Sequence, residues 1–155
     1  MPSAKRRVAA EARHSTPASI WYIESSALVA AFIEGDAAAQ RAIRNPGRHV
    51  TSALTIAETH RAVIRARVDR RLSADSERAL VRGLQTFARR CALIAVTDTI
   101  LLRAGRPFPI EPVRTLDAIH LATLESLGEV PQLVTVVTRD VRVAENAQAF
   151  GYAVC

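Results

Sequence analysis

Apolar residues along this chain fall into short blocks whose period shifts between strand-like and helix-like spacing. Ile20-Trp21-Tyr22-Ile23 is a run of β-branched and aromatic residues, the composition of a buried strand. Leu133-Val134-Thr135-Val136-Val137 is the clearest run of this kind, and Ala92-Leu93-Ile94-Ala95-Val96 is another continuous apolar run of strand length. His49-Val50-Thr51 and Tyr152-Ala153-Val154 read as two shorter strands.

Helical stretches lie between these runs. Ser25-Ser26 is placed to cap a helix through Phe32 to Gly35, and Asp36 starts a second that stops at Asn45-Pro46-Gly47. From about Ala53 to Arg71, Leu54, Ala57, Arg61, Ile64 and Val68 recur at spacings of three and four. Ser73 opens a further helix to Arg90, with Leu80, Leu84 and Phe87 along its apolar face. Thr97-Asp98 begins a short one, and Pro107, Pro109 and Pro112 make 106–114 a loop. Thr115 opens a helix ending at Gly128, and Asp140 caps one that stops at Gly151.

Strands therefore alternate with helices from end to end, without an internal repeat. That order predicts an α/β fold: a central parallel sheet of about five strands, flanked by helices on both faces. Residues 19–155 form the expected domain. Residues 1–18, rich in Ala, Arg, Ser and Pro without a sustained period, read as a flexible basic tail.

Composition narrows the function. The chain has 155 residues, 49% of them hydrophobic, enough for one domain with a real core. The net charge is +6, and every basic residue but Lys5 is Arg. Lys5, Arg6, Arg7, Arg13 and Glu11 all lie in the first 18 residues, which leaves +3 on the domain. That is compatible with a nucleic-acid partner without establishing one. Cys91 and Cys155 form no CxxC pair, so the expected setting is a reducing cytoplasm. No apolar run approaches the ~20 residues that span a bilayer. A Walker loop, a GxGxxG turn and a recognisable Ser–His–acid motif are all absent.

Four acids stand out. Glu24 follows the first strand directly, and Asp140 lies just past the strand ending near Val137. Ligand sites in open α/β sheets form at such strand ends. Glu58 sits among mostly apolar helix neighbours, and Asp117 is in the first turn of its helix. Singly, three have an ordinary explanation: Asp140 as an N-cap, Asp117 as a carboxylate favoured at a helix N-terminus, Glu24 as a group facing water. Glu58 is harder to dismiss, since among apolar neighbours a carboxylate needs a partner or a metal unless the helix turns it outward. Together, converging carboxylates repel and call for a cation. Hard oxygen donors suit Mg2+ or Mn2+ and, with them, metal-assisted phosphodiester hydrolysis.

Four segments then carry a likeness to a known family. They are Tyr22-Ile-Glu24-Ser-Ser-Ala-Leu28, Ser52-Ala-Leu to Glu58, Leu116-Asp117-Ala-Ile-His120-Leu-Ala122, and Val137-Thr-Arg-Asp140 to Gly151. In order and spacing they resemble PIN-domain proteins over roughly residues 20–155, above all VapC-like toxins of toxin–antitoxin pairs. The resemblance implies a metal-dependent endoribonuclease whose catalytic and metal-holding acids are Glu24, Glu58, Asp117 and Asp140. It also implies an RNA substrate, a cognate antitoxin whose tail blocks the site, and a homodimer. Thr138 and Ser26 would hold water or support the acids, and His120 would support or pack rather than ligate.

The family's first acid is normally Asp, whereas Glu24 adds a methylene, moving its carboxylate by ~1.5 Å. That leaves an alternative: a catalytically weakened protein of the same fold that binds RNA or a partner. Glu24→Asp is expected to leave activity unchanged or raise it. An aspartyl phosphatase is disfavoured, since no DxD follows the first strand. Arg61, Arg65, Arg67, Arg70 and Arg71 crowd the helix after Glu58, as a solvated face or as a ridge that guides phosphate. Arg139 is a further candidate RNA contact.

Overall fold

A computed structural model describes residues 19–155. The expected N-terminal tail lies outside the described residues. Five parallel strands form one sheet in the order β3-β2-β1-β4-β5: β1 Ile20–Ile23, β2 Arg48–Ser52, β3 Ala92–Ile94, β4 Val134–Val137 and β5 Ala153–Val154. The connections are α1 Ser25–Phe32, α2 Ala37–Ala42, α3 Ala53–Val68, α4 Ala74–Arg90, α5 Asp98–Ala104, α6 Thr115–Glu125 and α7 Val141–Ala149. The α/β architecture expected from the alternation is the one observed.

Strand alternation divides the core between the two faces. Ile20 and Tyr22 of β1 and Val134 and Val136 of β4 pack with Ile100, Ile119, Leu121, Leu124 and Val143, from α5, α6 and α7. Ile23 and Val137 point the other way, onto Ala27 and Leu28 of α1 and Leu84 and Phe87 of α4. The central strands β1 and β4 are covered on both sides, which is why their sequences are continuously apolar. Gly47 makes the entry into β2: its φ is +132°, and a Cβ there would collide with the Ser19 carbonyl.

Three local expectations change. Glu24, not Ser25-Ser26, is the N-cap of α1, and its side chain accepts from the Ser26 N–H. The run 92–96 pairs only over Ala92–Ile94, because β3 is an edge strand whose Leu93 is exposed. In α3 the recurring residues Ile64 and Val68 face outward, Val68 being 74% exposed. The buried row is Thr55, Thr59, Ala62, Val63 and Ala66. Mostly small side chains allow α3 to sit close to its helical neighbours, and Thr59 satisfies its hydroxyl on the Thr55 carbonyl at 2.8 Å.

Candidate metal centre

In the sheet order, β1 and β4 are the pair at which the chain's progression reverses. Connections diverge there and leave a crevice beyond the carboxyl ends of the strands. Glu24 leaves β1 at this edge, Thr138 and Asp140 leave β4, and Ser52 at the end of β2 caps the helix that carries Glu58.

Glu24 is 4% exposed, so its carboxylate must be compensated inside the protein. Oε1 accepts from Ser25 Oγ at 2.5 Å. Oε2 accepts from the Ser26 N–H at 3.0 Å, from Thr138 Oγ1 at 2.8 Å and from Ser26 Oγ. The same hydroxyls tie down the turn after β4. Ser26 Oγ accepts from the N–H groups of Arg139 at 2.7 Å and Asp140 at 3.1 Å, and Thr138 Oγ1 accepts from Asp140 N–H at 3.0 Å. Two segments more than a hundred residues apart are thus locked around one carboxylate. Ser26 and Thr138, expected as water-holding or supporting groups, both hydrogen-bond the Glu24 carboxylate.

Asp140 is the N-cap of α7: its Oδ1 accepts from the N–H groups of Arg142 at 2.8 Å and Val143 at 3.2 Å. Glu58 is half-buried on α3, and its Oε2 meets Nε2 of the fully buried His120 at 2.6 Å. Nε2 also lies 3.7 Å from Glu24 Oε1. Behind the imidazole, the Tyr22 hydroxyl lies 3.4 Å from Nδ1 and donates to the His120 carbonyl at 3.1 Å. Burial, and next the Glu24 charge, hold the Tyr22 phenol well above its ordinary pKa, so it remains an O–H.

Asp117 differs from its neighbours. Its Oδ2 is buried and has no hydrogen-bond partner among the described residues. Burial raises its pKa above the usual carboxylate value, and the charges of Asp140 and Glu24 push it further up, against opposing pulls from Arg114 and Arg142. Glu24, Glu58 and His120 offer ligand atoms within 4.8 Å of one another. An orphaned carboxylate oxygen facing like charges is what a cation would satisfy, and carboxylate oxygens suit a hard divalent ion.

The family model for the PIN domain matches residues 21–148. The chain belongs to the PIN-domain family. Ribonuclease VapC35 of Mycobacterium tuberculosis is 35% identical over 137 residues, spanning 86% of this chain and 93% of that protein. Among solved structures, M. tuberculosis VapC20, a sarcin–ricin loop cleaving toxin, aligns with a TM-score of 0.59 at 18% identity, covering 86% of this chain and 96% of that one. A chain of a toxin–antitoxin complex from Klebsiella pneumoniae aligns with a TM-score of 0.54 at 17% identity, covering 78% and 87%. At such identities the two structures support the fold alone.

The four acids singled out in the sequence are linked through Glu24: Glu58 by way of His120, Asp140 through the Thr138 hydroxyl, and Asp117 by charge. The expected RNA-contact arginines fare differently. Arg61 and Arg65 are exposed on α3, beyond Glu58. Arg139 is already engaged: its Nε donates to Asp36 Oδ2 at 3.0 Å. That hydrogen bond is the main reason the Asp36 carboxyl falls to about 2.

Sequence reasoning did not foresee Ser25 as a partner of Glu24, the flanking charges Arg114 and Arg142, or the contact between His120 and Glu58. The available signal for His120 was its spacing of three from Asp117, which puts both on one side of α6. A cavity of about 820 Å3 opens elsewhere, between α1, α2 and α4, over Phe32, Ile43 and Phe87 with Arg44 and Arg90 at its wall, and none of the four acids lines it.

Proposed function

We propose that this PIN-domain protein is an endoribonuclease that uses Mg2+ or Mn2+ to hydrolyse RNA phosphodiester bonds, and that it is the toxin of a toxin–antitoxin pair. The observation that carries the reading is Asp117, a carboxylate with one buried oxygen unpartnered and two acids close enough to raise its pKa. Asp117, Asp140, Glu24 and Glu58 are the residues proposed to hold the ion. When bound, a divalent ion supplies Lewis acidity toward the phosphate and an activated water.

The chain's own groups set the rest. Glu24 is immobilised by three hydroxyls and an N–H, so its position does not depend on a ligand. Asp140 has its Oδ1 on the N-terminus of α7, and its other oxygen is proposed to reach the ion. Arg61 and Arg65 offer exposed guanidinium groups on the helix of Glu58, suited to phosphate oxygens. Arg139 keeps part of its guanidinium for RNA beyond its bond to Asp36.

The alternative of a weakened, binding-only site loses its support here. The longer arm of Glu24 ends in a cradle fitted to it, with Ser25 as an added donor. VapC35, similar over most of both chains, is named a ribonuclease. The toxin reading draws on the motif resemblance to VapC-like toxins and on the likeness to VapC35, and it implies a protein antitoxin as partner. A homodimer is part of the proposal, supported by exposed Ile64 and Val68 on α3 and Leu101 and Leu102 on α5. No helix of the described residues is long and apolar enough to cross a membrane, and the free thiols of Cys91 and Cys155 suit the cytoplasm.

The test is cleavage of total RNA by the purified, antitoxin-free protein with Mg2+, with Mn2+ and with EDTA. Discrete fragments formed only with metal are expected. Intact RNA in every condition, from protein shown to be folded, overturns the proposal.

A further inference from the structure

His120 is 1% exposed and its Nε2 lies between two of the acids, 2.6 Å from Glu58 Oε2 and 3.7 Å from Glu24 Oε1. We propose that His120 is a positioning residue: it holds the Glu58 carboxylate against the Glu24 side of the site, ready for the divalent ion. This rests on the metal-dependent reading above and assigns a role to a side chain that is not itself one of the four acids.

The hydrogen bonding supports one polarity. Nε2 meets Glu58 Oε2 at 2.6 Å, a distance at which a lone pair facing a carboxylate would be strongly repelled, so Nε2 carries the proton. On the other side of the ring the Tyr22 hydroxyl lies 3.4 Å from Nδ1 and gives its one proton to the His120 carbonyl at 3.1 Å, which fixes the ring's place without choosing its tautomer. The close contact with the Glu58 carboxylate makes that choice.

Glu58 needs such a partner. Among the described residues its carboxylate has no other hydrogen bond, whereas Glu24 has four. A long, half-buried acid arm on α3 samples several rotamers unless one is selected, and that entropy opposes metal binding. The imidazole also stands 3.7 Å from Glu24 Oε1, so the Glu58 carboxylate is drawn to the side of the fixed acid. With Nε2 occupied by Glu58, His120 acts through that carboxylate and not as a ligand. Groups that orient ligands in this way typically change metal affinity by about 10- to 100-fold when removed.

The experiment is Mn2+ binding to the purified protein, followed by the loss of the free-ion electron paramagnetic resonance signal, with folding checked by circular dichroism. His120→Leu is expected to weaken binding by about 10- to 100-fold. His120→Gln, whose amide N–H reaches close to where Nε2 lies, should recover most of that loss. In a Glu58→Ala background, replacing His120 should change Mn2+ affinity little further, because the two act as one unit.

A folded His120→Leu protein with wild-type affinity overturns the proposal. So does His120→Gln binding as weakly as His120→Leu, or losses from His120 and Glu58 that simply add. If His120→Leu does not fold, His120→Gln and its combination with Glu58→Ala decide the matter alone. Wild-type protein that binds no Mn2+ brings down the metal reading itself. Wild-type binding lost in Asp117→Asn but kept in His120→Leu brings down only the role of His120.

Discussion

Glu24 and Asp117 stand at the same edge of the sheet and carry the same charge, yet their surroundings are opposite. Glu24, between β1 and α1, has donors on both oxygens and is as fully compensated as a backbone carbonyl in a strand. Asp117, on α6, has an oxygen that nothing in the described protein satisfies and like charges that disfavour its ionised form. A compensated carboxylate is a fixed strut, whereas an uncompensated one is what the proposed cation would satisfy. On that proposal the site combines the two, a rigid wall at the β1–β4 switch point and a frustrated acid beside it.

The sharpest way to break that contrast is Asp117→Asn. Even groups that only orient a ligand alter activity by ~10- to 100-fold, so loss of a direct ligand is expected to lower RNA cleavage by more than about 100-fold with the fold intact. The same variant should melt at a higher temperature than the wild type in EDTA at pH 7. The folded state raises the Asp117 pKa, so ionisation there destabilises the fold. That penalty is absent below the ordinary carboxylate range and grows as pH rises through the raised value. The gap in melting temperature should therefore close in acid, and equal melting at pH 7 would remove the frustration from Asp117.

Glu24→Asp tests the other side. From the sequence it is expected to be harmless or beneficial. The hydroxyl cradle reverses that, because retracting the carboxylate by ~1.5 Å draws it away from Ser25 and Thr138. A fall in kcat of about 100-fold is expected, as for other displacements of an ångström or so. Unchanged or faster cleavage would mean that the cradle does not set the position of the acid.

Asp140 serves on both sides of the contrast, as cap and as acid. Asp140→Asn should abolish cleavage while keeping the cap of α7, since Asn caps as well as Asp. Asp140→Ala should lose activity and also about 1 kcal/mol of stability, lowering the melting temperature by ~2–4 °C. Identical melting of the two variants would show that the cap contributes nothing.

The smallest effect is expected at the rim, where Arg139 meets Asp36. The Asp36 carboxyl is held down at about 2, so the pair contributes stability above the ordinary carboxylate range and loses it as pH falls through about 2. Arg139→Ala should leave the neutral-pH melt almost unchanged and move the acid unfolding midpoint slightly upward. A large loss at neutral pH would make this a structural tie rather than a rim contact.

The features legible in the amino-acid order are local ones. The strand at Ile20–Ile23, the helix Ala74–Arg90 with its Ser73 cap, the proline-rich loop before α6 and the Asp140 cap all depend on residues a few positions apart. Their apolar periods and capping side chains are therefore visible without a fold. Three of the acids were legible for a similar reason, since Glu24 and Asp140 lie at strand exits and Asp117 at a helix start, and Glu58 stood out as a carboxylate among apolar helix neighbours. The tertiary structure alone decided which face α3 buries, because the choice depends on the shape of the surface it packs against and not on which row is more apolar. It also decided that His120 meets Glu58, 62 positions earlier, and that the hydroxyl of Thr138 closes on Glu24 across 114. Those contacts follow from strand order, which sets β1 beside β4, and strand order comes from packing the whole chain at once.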